Sequence, residues 1–167
     1  MKIVMVGQGA FGRKHLDGLK NIKDAEVVSL VGGSKESTET VAKQYGIPHW
    51  TTNLSEALAQ PGVDAAILTS PTQVHAAQAV ECMKAGKHVE IEIPIADSLA
   101  DARKIHDTQK ATKKIAMAGH TRRFAARGRC ANLPVDHTRT NRRGGSRPRV
   151  DSRRSIPIPP HTRRATT

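Results

Sequence analysis

Along the first 120 residues, short runs of consecutive apolar positions alternate with stretches in which apolar residues recur every three or four places. The runs at 2–7 (KIVMVG), 25–32 (AEVVSLVG), 63–70 (VDAAILTS), 88–92 (HVEIE) and 114–119 (KIAMAG) predict five β-strands. Between them, residues 10–20 place Phe11, His15, Leu16 and Leu19 at helical spacing. Residues 36–45, 73–85 and 98–111 predict further helices, the first two closed by Gly46 and Gly86. A short helix is expected after Asn53, whose side chain forms an N-cap arrangement with Glu56. Apolar strands joined by helices call for a parallel sheet buried on both faces, an α/β architecture.

After residue 120 the pattern stops. Residues 1–120 carry 14 Lys and Arg against 13 Asp and Glu, whereas residues 121–167 carry 13 Arg, no Lys and 2 Asp. Nearly all of the formal charge of +12 therefore belongs to the last segment, and whole-chain charge gives no ground for a nucleic-acid partner. Phe124, Leu133, Val135, Val150, Ile156 and Ile158 are scattered there without a period, too few to offset the entropy of ordering. The chain divides into a folded domain, residues 1–124, and an arginine-rich tail, residues 125–167, expected to be disordered. Cys82 and Cys130 form neither a disulfide framework nor a metal-ligand spacing, so no metal is expected and a reducing cytoplasm fits best. No apolar run reaches the length of a membrane span, and the N-terminus leads into glycines rather than an export signal.

Chemistry enters with Gly7-Gln8-Gly9-Ala10-Phe11-Gly12, a G-x-G-x-x-G placed directly after a strand and opening a helix. Gly7 permits the tight turn, Gly9 lets a diphosphate approach the backbone, and Gly12 lets the helix pack close on the strand. The helix N-terminus then faces the phosphates of a dinucleotide. At the end of the second strand, where an acid would bind the adenosine ribose, the chain has Gly32-Gly33-Ser34-Lys35, with Glu36 the nearest acid. A hydroxyl and an ammonium suit a 2′-phosphate, which favours NADP while leaving NAD open.

Three later segments read Ser70-Pro71-Thr72-Gln73-Val74-His75, Ala85-Gly86-Lys87-His88-Val89 and Glu92-Ile93-Pro94. Their order and spacing after the glycine motif resemble the glucose-fructose oxidoreductase/inositol dehydrogenase/MocA family, over residues 1–124. The resemblance implies a Rossmann-type doubly wound sheet. It places Ser70, Pro71 and Gln73 under the coenzyme at the carboxyl ends of the strands, and Glu92 at the nicotinamide ribose. His75 either stands at the same crevice or packs as a helix-start histidine. Glu90, two residues before Glu92, shares its face and is the weaker candidate.

The family's usual lysine after that glutamate is Ile93 here, a side chain with no proton to exchange. This departure resembles a narrower, NADP-using branch that oxidises a cyclic dicarboxylate hemiacetal to a lactone. By position after the last strand, Arg122 or Arg123 in GHTRRF either holds a substrate carboxylate as a bidentate pair or simply begins the tail. The catalytic base is not identified by these residues.

Relatives complete the substrate pocket with a second α/β domain, which carries the acid–base residues and joins copies into oligomers. The abrupt change after Phe124 is expected to mark a shifted reading frame or truncation that replaces that domain, leaving a chain incomplete for turnover. The alternative is a nucleotide-binding module whose arginine tail contacts nucleic acid or another polyanion. The scarcity of aromatic residues beyond Phe124 speaks against it.

Overall fold

The computed structural model describes residues 1–120, and the arginine-rich segment that follows lies outside them. The described residues alternate strands and helices: β1 (Lys2–Val6), α1 (Ala10–Leu19), β2 (Glu26–Val31), α2 (Lys35–Tyr45), β3 (His49–Thr51), α3 (Leu54–Leu58), β4 (Val63–Leu68), α4 (Thr72–Lys84), β5 (His88–Glu92), α5 (Leu99–Thr112) and β6 (Ala116–Gly119). All six strands are parallel, in the order β3-β2-β1-β4-β5-β6. The chain winds outward from β1 to β3, then crosses back to β4 and winds the other way. That reversal makes a crevice between the carboxyl ends of β1 and β4, the place where open α/β sheets take ligands.

The five predicted strands are present. A sixth, β3, carried no signal: half-buried His49 and Trp50 and buried Thr51, shortly after Pro48, pair with β2 at the sheet edge. Gly46, at φ 67°, closes α2 in the left-handed conformation that favours glycine. The cap of α3 differs from expectation. Asn53 accepts from the Ser55 amide at 3.0 Å, but Glu56 turns away to accept the Thr51 hydroxyl at 2.7 Å. The Asn53 amide that a capping box would satisfy donates instead to Thr51 Oγ1.

Two apolar layers sandwich the sheet. Val4, Val6, Ala66, Leu68, Val89 and Ile91 pack with α3, α4 and α5 on one face, while Met5 and Leu30 pack with Leu16, Val41 and Ala42 of α1 and α2 on the other. The second face is not covered to its end. Register places Trp50, Leu30, Met5, Ile67, Glu90 and Met117 in one row across the sheet. Exposure rises along the row from 0% at Met5 to 57% at Met117, because α1 and α2 pack chiefly on β1, β2 and β3 and reach β5 at its end through His15. Burial on both faces thus holds for β1 and β2 and fails at β6.

Candidate coenzyme-binding site

The carboxyl ends of β1, β2 and β4 enclose a cleft of about 670 Å³, whose lining includes Gly7, Gly9, Gly32, Gly33, Ser70 and Pro71. Its floor is the glycine turn. Gly7 sits at φ +110°, a conformation L side chains rarely adopt, and its amide donates to the Val31 carbonyl at 2.8 Å. Gly12 is buried against that turn, where an added Cβ would collide with the Gly7 carbonyl oxygen. Around Gly9 an added Cβ would meet nothing within 4 Å, so the backbone there opens directly onto the cleft. Helix α1 begins at the next residue, and its unpaired amides and positive dipole end suit a diphosphate. These residues therefore fit a dinucleotide.

Two residues that sequence alone did not single out hold the turn in place. Thr69, the residue after β4, donates its amide to the Val6 carbonyl at 2.7 Å. Its hydroxyl lies 2.9 Å from the same carbonyl and 3.2 Å from that of Gly7. Gln8 bridges to the loop after β2, donating to Ser37 Oγ at 2.9 Å and accepting from the Gly33 amide at 3.2 Å. Ser34 occupies the N-cap position of α2 without a side-chain cap bond, its hydroxyl lying 2.7 Å from that of Ser37. The only local signals were a polar residue inside the glycine motif and a hydroxyl at a strand end, both commonplace.

The remaining expected residues distribute unevenly. Ser34 and Lys35 follow Gly33 at the exposed rim, with Glu36 in the first turn of α2. Ala10 and Phe11 are exposed on the first turn of α1, and the Phe11 ring faces the Lys14 ammonium 5.2 Å away rather than the cleft. Gln73 points to solvent, whereas Val74 and Gln78 line the cleft, Gln78 accepting the Ser70 hydroxyl. His75 is 2% exposed; Nε2 lies 2.7 Å from the Ser70 carbonyl and Nδ1 2.9 Å from that of Pro94. Its ring thus ties the loop after β4 to the turn after β5, and both nitrogens are engaged by backbone. Arg122 and Arg123 lie outside the described residues.

At the end of β5, Glu92 is buried, with Oε1 2.9 Å from His15 Nε2 and Oε2 accepting the Ile93 amide at 3.1 Å. Glu90 stands beside it on the same face. Burial pushes the Glu90 carboxyl above the usual carboxylate range; His15 opposes that shift and Glu92 adds to it. Ile93, in the lysine's place, is 38% exposed hydrocarbon.

Fold, glycine turn and cleft together define a dinucleotide-binding domain, and comparison with known proteins agrees. Residues 1–120 match the GFO_IDH_MocA family, described as an oxidoreductase family with an NAD-binding Rossmann fold, and the chain belongs to it. It is 55% identical over 124 residues to a 4-carboxy-2-hydroxymuconate-6-semialdehyde dehydrogenase of Sphingobium sp., an alignment covering 74% of this chain and 39% of that protein. It is 30% identical over 125 residues to a scyllo-inositol 2-dehydrogenase (NAD(+)) of Bacillus subtilis, covering 74% and 36%. Among solved structures, the WlbA dehydrogenase of Chromobacterium violaceum, in complex with NADH and UDP-GlcNAcA, superposes with a TM-score of 0.73 at 26% identity, covering 78% of this chain and 38% of that one. The chain thus spans under two-fifths of the length of these relatives. Among the described residues no helix is long and apolar enough to cross a membrane.

Proposed function

We propose that this chain is the coenzyme-binding part of an NADP-dependent oxidoreductase that converts the cyclic hemiacetal of 4-carboxy-2-hydroxymuconate semialdehyde into its lactone, 2-pyrone-4,6-dicarboxylate. The observation that carries the coenzyme reading is the loop after β2. Ser34, Lys35 and Ser37 offer two hydroxyls and an ammonium at the edge of the cleft. Among the described residues, no carboxylate lines that cleft to repel a ribose 2′-phosphate. The substrate class is supported by the similarity to the Sphingobium dehydrogenase and by Ile93.

When bound, the nicotinamide supplies a hydride acceptor for the carbon that bears the hemiacetal hydroxyl. The chain's own residues hold and orient. The Gly7–Gly9 backbone and the start of α1 take the diphosphate, Ser34 and Lys35 the adenosine end, and Glu92 the nicotinamide ribose hydroxyls. Ile93 takes up no proton, so the base that receives the hydroxyl proton is assigned outside residues 1–120. Arg122 or Arg123 is assigned to a substrate carboxylate.

Calorimetric titration of the 167-residue chain with NADP(H) and NAD(H) tests the reading. Tighter binding of NADP(H) is expected. Preference for NAD(H) would remove the coenzyme assignment, and binding of neither would remove the function.

A further inference from the structure

The coenzyme reading gives Glu92 a task and leaves Glu90 without one. Glu90 occupies a position in a row otherwise built of Trp50, Leu30, Met5, Ile67 and Met117, an expensive place for a carboxyl group. Its Oε2 is buried and has no hydrogen-bond partner among the described residues. The backbone makes room for it: at Gly119, the neighbour of Glu92 on β6, an added Cβ would collide with Glu90 Oε1.

This carboxylate does not stand alone. Glu90 and Glu92 project from the same face of β5, and α1 lays His15 against them, so that one donor atom from each falls within 4.8 Å of the others. His15 and Glu92 are only 18% and 9% exposed at their side chains. Among the described residues, no lysine or arginine forms an ion pair with either glutamate. Two carboxylates sharing a partly buried site with one imidazole leave negative charge uncompensated and one oxygen unused. A divalent cation would satisfy both deficits at once.

We propose that His15 Nε2 and the carboxylates of Glu90 and Glu92 form a divalent-cation site of mixed nitrogen and oxygen donors, of the kind that takes Mn²⁺, Co²⁺ or Zn²⁺. The ion links α1 to the end of β5 and fixes the carboxylate of Glu92. The three side chains meet without any coenzyme; because Glu92 is also the proposed contact of the nicotinamide ribose, the ion is titrated with no coenzyme present.

The test titrates Mn²⁺ into the 167-residue chain, free of coenzyme, and follows the aquo-ion signal by electron paramagnetic resonance. One ion per chain is expected, with nitrogen coupling from one imidazole in the spin-echo spectrum. Glu90→Gln weakens binding at least about tenfold, and His15→Ala removes the nitrogen coupling. Circular dichroism checks that each variant folds. Should either fail to fold, Gly119→Ala serves in its place, displacing the Glu90 carboxylate and weakening Mn²⁺ binding. The site is overturned by a wild-type chain that binds no Mn²⁺ or shows no nitrogen coupling, or by any folded variant of the three that binds as wild type does.

Discussion

Glu92 and His15 meet at 2.9 Å although 77 positions of sequence separate them. The contact joins the first helix of the glycine motif to the strand that ends at the crevice. It therefore ties the helix that opens after the glycine turn to the carboxyl end of β5.

That first helix stays close only because residue 12 has no side chain. Gly12→Ala drives a methyl group into the Gly7 carbonyl, and neither backbone can yield without opening the turn. A loss of about 1–3 kcal/mol in stability is expected, with coenzyme binding weakened in the same variant. Urea denaturation and calorimetry measure the two.

At the other loop, Ser34→Asp puts a residue suited to the N-cap position of α2 there and adds a carboxylate beside Lys35. NADP(H) affinity is expected to fall about tenfold, or ~1.4 kcal/mol, while NAD(H) binding is retained. Equal losses for both coenzymes would place the 2′-phosphate elsewhere.

His75→Ala removes a buried ring and both of its ties to backbone carbonyls. The expected cost is about 2–4 kcal/mol in chemical denaturation. A cost near zero would show that the Ser70 and Pro94 loops hold each other without it.

Cys82 is wholly buried, and burial pushes its thiol up to about 12. In a Cys130→Ser chain it is expected to resist a disulfide reagent at pH 8 and to react only once denaturant is added, because access and thiolate are both lacking. Rapid reaction of the native chain would mean that α4 opens readily.

How much of this was legible in the sequence followed from how local each signal is. Strands β1, β2 and β4 showed as apolar runs because they lie inside the sheet, and the glycine turn showed because its three glycines answer needs of nearby backbone. Strand β3 did not, since three edge residues pairing on one side leave no pattern. His15 was grouped with Leu16 and Leu19 by helical period, yet its partner lies on another element; only the folded sheet shows that Glu90 and Glu92 await it. Thr69 and Gln8 escaped for the same reason, their partners lying across strands rather than along them.

Thr69 has one more effect. By fastening Val6 and Gly7 from the neighbouring strand, it makes the shape of the phosphate loop an outcome of folding rather than of docking. The dinucleotide then arrives at a pre-set mould, and little of its affinity is lost to organising a slack one.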